Sequence, residues 1–399
     1  MYNLTSQLVE QLIEKWENKG FKMNELPNDI VRRNTAILLE NEHQYIVETS
    51  IADLSTDIAD FKKILMPLTR RIMPNLLANE IVGVQPMAGP VSIAYALRFR
   101  ASTSSTSASG YNIGTEIGYN NMDASYTGSV TTSAGETWAN QNGINPTQDF
   151  PEAKTTIEST VVTAKTRKMK SRYSLESAQD LKNMHGLDIE AELTNMLQYE
   201  VGAEIDRELV IAINALGAST HSDGQTTASY TITAGDGTWE AQLFRNMYTR
   251  FVREAAAIAR RTRRGAGNFI IASGNVVTAL DSLGTFLLQP LAGANPMEIG
   301  PGVAKVGTIE NRFAVYRDTF ASVDYATIGF KGQGTQNSGI IYCPYIPLMM
   351  SKAVEPGNFT PVIGMLTRYG LVNQLLNSVD FYSQMPINFA GVNGFSGVI

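Results

Sequence analysis

The stretch from Asp188 to Gly217 places Ile189, Leu193, Met196, Leu197, Ile205, Leu209, Ile213 and Leu216 at steps of three and four residues. That spacing keeps one stripe of a helix apolar. Gly186 closes the segment before it and Asp188 opens it, so the pattern predicts one long helix. At ~1.5 Å per residue this is a rod of roughly 45 Å. So long a single helix reads as a structural beam. The carboxylates along it, Glu190, Glu192, Glu200, Glu204, Asp206 and Glu208, have no histidine at helical spacing among them. They read as a solvated or salt-bridged face.

Two basic clusters flank the beam in a chain whose net charge is −6. Upstream, residues 158–181 predict a strand and then a helix capped by Ser174. Lys165, Arg167, Lys168, Lys170 and Arg172 lie in that strand. Downstream, a helix is predicted over 239–264, with the stripe Trp239, Leu243, Met247, Phe251 and Ile258. It ends in Arg260, Arg261, Arg263 and Arg264, ahead of Gly265, a suitable left-handed cap. Cations complement a helix C-terminus by ~0.3 to 1 kcal/mol each. That accounts for one or two arginines. The others leave a contact with a neighbouring subunit or with nucleic acid open.

Residues 4–18 place Leu4, Leu8, Leu12 and Trp16 on one helical stripe, which packs on its own domain or docks on a partner. Residues 27–65 alternate short helical patterns with polar turns and read as an extended N-terminal arm. A strand is predicted from Ile93 to Arg100. Between Arg100 and Lys154 there is no lysine or arginine, only Glu116, Asp123, Glu136, Asp149 and Glu152, after a run rich in Ser and Thr. Such a tract cannot bury enough apolar surface to fold alone. Yet it holds Tyr111, Tyr119, Tyr126 and Trp138, as expected of a long projecting hairpin lying on a neighbouring subunit. Past the second helix, "NFIIAS" predicts a buried strand and "GNVVTALDSL" a helix. The segments "FAVYRD", "YATIGFKG", "GIIYCPYIPLMMSKAV" and "FTPVIGMLTRYGLV" predict further strands. The fold class is α+β.

No motif for catalysis stands out. There is no GxxxxGK[ST] loop, and no GxGxxG opens a helix after a strand. His43, His185 and His221 lie far apart, and Cys343 is the single cysteine, so metal and cofactor sites lack ligands and none is expected. No secretory signal is evident and no run reaches the ~18 apolar residues of a membrane span, so the expected setting is inside a cell. A nucleic-acid-binding protein using "AKTRKMKSR" and "ARRTRR" is disfavoured by the net acidity and by the lack of interleaved aromatics.

Several blocks resemble the major capsid proteins of T-even-type tailed bacteriophages. They are "RRIMPNLLANEIVGVQPMAGPV", "TVVTAKTRKMKSRYSLESAQDLKNMHGLDIEAELTNMLQYEVGAEIDRELV", "IARRTRRGAGNFIIASGNVV", "VYRDTFASVDYATIGFKG", "IYCPYIPLMM" and "FTPVIGMLTRYG". The resemblance implies the Hong Kong 97-type capsid fold. It implies an N-terminal arm over 1–64, a peripheral domain over 65–100 and 158–217 with the beam as spine helix, and an extended loop over 101–157. An axial domain over 218–340 and strands over 341–399 returning to the peripheral domain complete the scheme. The implied function is a structural, non-enzymatic shell of hexamers and pentamers enclosing double-stranded DNA without sequence-specific binding. Implied partners are portal, scaffold and possibly decoration or vertex proteins, with no membrane, in a virion assembled in the bacterial cytoplasm. An encapsulin-type compartment shares that fold, but the T-even-like blocks argue against it. Between Arg100 and Lys154 the extended loop lacks the large insertion of T-even relatives and any lysine for cross-linking. Leu12-Ile13-Glu14 and Leu38-Leu39-Glu40 loosely match the family's maturation cleavage pattern, and the arm is expected to be retained as an assembly strap.

Overall fold

The computed structural model describes residues 6–26, 28–52, 76–102, 113–117, 126, 152–233, 239–283, 286–288, 303–333, 337–355, 357, 360–373 and 377–390. The beam is present as one helix. Strand β4 (Lys165–Arg172) leads into α4 (Leu175–His185), capped by Ser174, whose hydroxyl accepts from the Ser177 amide. Gly186 ends α4, and Asp188 caps α5 (Ile189–Gly217) by accepting from the Glu190 amide.

Two sheets share this helix. Strands β1 (Gly83–Val84), β11 (Ile340–Glu355), β12 (Thr360–Asn373) and β4 form a four-stranded sheet in that order. A seven-stranded sheet runs β5 (Tyr230–Thr233), β13 (Tyr382–Ala390), β10 (Tyr325–Gly329), β6 (Phe269–Ser273), β9 (Phe313–Asp318), β8 (Val303–Ile309) and β7 (Phe286–Leu288). The first half of α5 lies on the smaller sheet, where Thr194 meets the Met350 sulfur at 3.7 Å and Glu190 pairs with Lys352. Its second half lies on the larger one. There the Thr327 hydroxyl donates to Asn214 Oδ1 at 2.7 Å, and Gly217 sits so close to the Gln384 backbone that a Cβ would collide with it. The beam therefore ties two sheets into one continuous hydrophobic core, which includes Leu197, Ile205, Leu209, Ile213, Phe251, Ile270 and Phe313.

Helix α6 (Glu240–Thr262) covers the larger sheet with Phe244, Met247, Phe251, Ala255 and Ile258. Trp239, read from the sequence as part of that stripe, precedes the helix and is 78% exposed. Helix α7 (Gly274–Asp281) follows β6, as the sequence predicts. The strands of 341–399 divide between the two sheets. Strands β11 and β12 lie in the smaller sheet, but β13 adds to the larger one, antiparallel to β10 and parallel to β5. Its alternately buried residues Met385, Ile387 and Phe389 belong with the core there.

The N-terminal part is also more regular than its sequence suggests. Helix α1 (Ser6–Asn18) packs on α2 (Asp29–Ala52), one continuous helix where short ones separated by turns are predicted. Val31, Ala36 and Leu39 of α2 face the α1 cluster while Leu38 faces the main core. Two partners spread its apolar residues around the helix and blur the stripe. A short helix α3 (Ala78–Ile81) precedes β1.

Finally, β2 (Val91–Ala101) and β3 (Ala153–Thr163) pair along their whole length as a two-stranded antiparallel ribbon. Its base is anchored in the body: Ala94 and Val162 are buried with Met87, Ile341 and Cys343. Burial pushes the Cys343 thiol up to about 12, the state of an inert core thiol.

Candidate functional site

The four arginines at the end of α6 go to different environments. Arg260 is exposed and its Nη2 lies 2.8 Å from Asp223 Oδ2. Arg261 is 2% exposed. Burial pushes its guanidinium below the ordinary value and Arg260 adds to that push, while Asp223, Asp380 and Glu254 oppose it. Those carboxylates belong to a polar network around the turn Ser378–Phe381. Asp380 accepts from the Ser222 amide at 2.8 Å, and the Ser383 hydroxyl donates to Glu254 at 2.9 Å. The Thr227 and Ser383 hydroxyls are 2.5 Å apart. His221, buried beside them with Nδ1 2.9 Å from the Val379 carbonyl, has its pKa lowered by burial and by Arg261.

Arg263 is exposed, and Arg264 donates to Asn337 Oδ1 at 2.6 Å. The left-handed cap of α6 is Arg263 itself (φ 52°), not Gly265. Gly265 is needed for a different reason: a Cβ there would run into the Phe330 ring, which is stacked on Phe381. Gly265→Ala is therefore expected to lower stability by about 1–3 kcal/mol through overpacking. Arg263→Gly relieves a left-handed side chain and should stay within about 1 kcal/mol of the parent. Urea unfolding of both variants measures the contrast.

The basic strand β4 divides by the period of two. Arg167 turns inward, pairing with Glu204 and, at 2.7 Å, with Glu208, and lying over the Tyr369 ring. Arg172 pairs with Glu355 at 3.3 Å. Lys165, Lys168 and Lys170 are exposed on an edge strand paired only with β12. Lysines on an edge discourage uncontrolled strand addition. Of the beam carboxylates, Glu190, Glu204 and Glu208 are paired as the sequence suggests. Asp206 differs: it accepts from the Leu77 amide at 3.2 Å, and burial raises its pKa to about 7.

The ribbon has two unlike faces. On one, Arg98 lies 3.2 Å from Glu158 and 3.9 Å from Glu116, and Arg100 also pairs with Glu158. The Glu116 pKa is raised by burial, against the pull of Arg98, Arg264 and Arg100. On the other face, Val91, Tyr95 and Phe99 of β2 and Ile157 and Val161 of β3 stand on the same side by register. All five are exposed. Within the tract beyond, the Tyr126 hydroxyl donates to the Glu152 carbonyl at 2.7 Å. Tyr111, Tyr119 and Trp138 lie outside the described residues, as does Leu4. Of the remaining N-terminal stripe, Trp16 is 1% exposed in the chain's own α1–α2 cluster, Leu12 packs against that cluster and Leu8 is exposed.

The ribbon thus presents an apolar face to solvent, while Arg260, Arg261 and Arg264 of the arginine cluster are engaged within the chain. Among the described residues no group of three or more His, Cys, Asp or Glu is placed to hold a metal ion, and no helix is long and apolar enough to cross a membrane. The family model of the major capsid protein Gp23 matches residues 58–386. The chain belongs to the Gp23 major capsid protein family. The major capsid protein of Enterobacteria phage T4 is 32% identical, over 77% of this chain and 74% of that protein. That of Vibrio phage KVP40 is 30% identical over 77% and 75%. That of Serratia phage KSP90 is 26% identical but aligns over 96% of this chain and 92% of its own length. Among solved structures, the capsid of Myoviridae phage XM1 covers 78% of this chain at 11% identity and a TM-score of 0.43. As a Gp23-family member the chain is a structural component of the virion capsid of a tailed bacteriophage and associates with copies of itself. For such a protein the functional site is the set of surfaces that meet other subunits.

The network around Arg261 was not visible in the sequence. Its members Asp223, Glu254, Asp380 and Ser383 are far apart along the chain, and His221 reads there as a polar-loop residue. No local spacing signals it.

Proposed function

We propose that the chain builds the head shell as hexamers and pentamers in the Hong Kong 97-type arrangement. Residues 101–157, held between the ribbon strands β2 and β3, are the extended loop, and residues 1–64 form the N-terminal arm. Residues 65–100 and 158–217, with α5 as spine, make the peripheral domain, and 218–340 supply the axial domain, to which β13 also contributes. The ribbon carries this reading. Two isolated strands are at best marginally stable in water, yet this ribbon displays an apolar face to solvent. Laid on a neighbouring subunit, that face becomes buried and the ribbon becomes an overlap joint. Many modest joints repeated in closed symmetry add up to a strong shell.

On this reading the shell encloses double-stranded DNA without reading its sequence. The net charge of −6 keeps the wall from adhering to the genome. Portal, scaffold and decoration or vertex proteins complete the particle, and assembly takes place in the host cytoplasm. Arg260 and Arg261 are engaged within the chain, which favours a folding role for them. Arg263 and the exposed lysines of β4 are the better candidates for subunit or genome contact. The test is sedimentation with negative-stain microscopy of the purified chain expressed alone. Shells, tubes or capsomers of five and six copies are the expected products. A chain that stays monomeric at all concentrations, with and without scaffold, would sink the reading.

A further inference from the structure

A cavity of about 550 Å³ lies where the N-terminal helices meet the body. Asn28, Asp29 and Asn34 of the α2 region line one wall, and Lys305, Tyr316 and Lys331 line the opposite wall, with Asn79 and Glu80 between them. The charges do not balance. Asp29 is answered by Arg33 at 2.9 Å. Glu80 accepts from the Tyr316 hydroxyl at 2.5 Å and faces Lys305 at 4.0 Å. Lys331 donates to the Asn79 carbonyl and is in no ion pair among the described residues. One cation is left over in a half-buried position. Asn34 adds a second unmet donor: its Nδ2 is buried without an acceptor among the described residues.

We propose that this cavity is an oxyanion socket, in which Lys331, Lys305 and Asn34 hold a phosphate or carboxylate group. The ligand would bridge α2 to strands β8 and β10 and fasten the N-terminal helices to the body. Buried ammonium groups are stabilised by an anion in contact. Burial lowers the Lys331 pKa to about 8, and only Glu80 pulls it back. The ammonium form that an anion requires is therefore lost as the pH rises through about 8. The other charged or titratable groups at the cavity are Asp29, Arg33, Lys305 and Tyr316. The volume admits more than a bare phosphate, so the group could come from a free phosphoryl compound or from an acidic side chain of a second copy of this chain.

The experiment is calorimetric titration of the full, unassembled chain with inorganic phosphate and, separately, acetate at pH 7 and pH 9.5. If the source is a free phosphoryl group, phosphate binds once per chain. It binds at least tenfold more weakly at pH 9.5 and at least tenfold more weakly in Lys331→Met and Lys305→Met. Lys168→Met, an exposed lysine on β4, leaves it unchanged. Circular dichroism checks that each variant folds. If the source is a neighbouring copy, neither small anion binds, but Lys331 reacts with an acetylating reagent in the unassembled chain and is protected in particles. Phosphate binding indifferent to Lys331→Met overturns the proposal. So does the absence of small-anion binding together with equal labelling of Lys331 in both states. The phosphate arm needs no assembly, so a failure to form particles leaves it standing.

Discussion

Replacing Arg261 with alanine is expected to destabilise the chain by about 3–5 kcal/mol, because it empties a buried site and removes the cation that offsets the buried Asp380 and its half-buried neighbours. Asp380 is fully buried, and Glu254 and Asp223 lie close enough to pull on the same guanidinium. Without Arg261 these carboxylates must take up protons or draw in water, and the turn Ser378–Phe381 loses its seat against α6. Arg260→Gln, one position away, removes only an exposed pair with Asp223, an interaction of the kind that contributes about 0–1 kcal/mol. Urea unfolding of the two variants beside the parent measures the difference. Equal losses would mean that the arginines act together as a surface cluster, against their separate environments in this fold.

A second large effect is expected at the ribbon. Phe99 and Ile157 are 54% and 72% exposed, so changing both to glutamate costs the isolated chain little. In a particle each would be buried against another copy, where such a side chain contributes about 1.5–3 kcal/mol. Losing two raises the dissociation constant between copies at least about a hundredfold. Sedimentation velocity should show a folded, unassembled chain at concentrations where the parent forms particles. Normal particles from the double variant would move the joint to another surface. The exposed residues Leu175, Met184 and Leu187 at and beyond the ends of α4 would be examined next.

What could be read in advance follows from how local each signal is. The beam was legible because its N-cap Asp188 and its stripe lie within one segment, just after Gly186 closes α4. Strands such as Phe313–Asp318 and Phe269–Ser273 were legible for the same reason: a short apolar run bounded by turn residues. The cap of α6 was misplaced because Gly265 offers the usual local signature, whereas its real constraint is the Phe330 ring from β10's end. The placement of β13 could not be read from its own residues. Alternating burial fits either sheet, and only pairing with β10 and β5 decides between them. Arg261 looked like one of four surface cations because no local pattern tells which arginine a distant turn will cover.

The position of β13 has a consequence in time. It lies between β5 and β10, although it is the last strand described in the chain and β5 is made some 150 residues earlier, so the larger sheet gains its missing strand long after β5 and β10 have been made. The same late segment delivers Asp380 and Ser383 to Arg261 and Glu254. Until that segment is made, the sheet has an open edge at β10, and Arg261 faces Asp223 and Glu254 without Asp380. Non-local pairings of this kind form slowly and late.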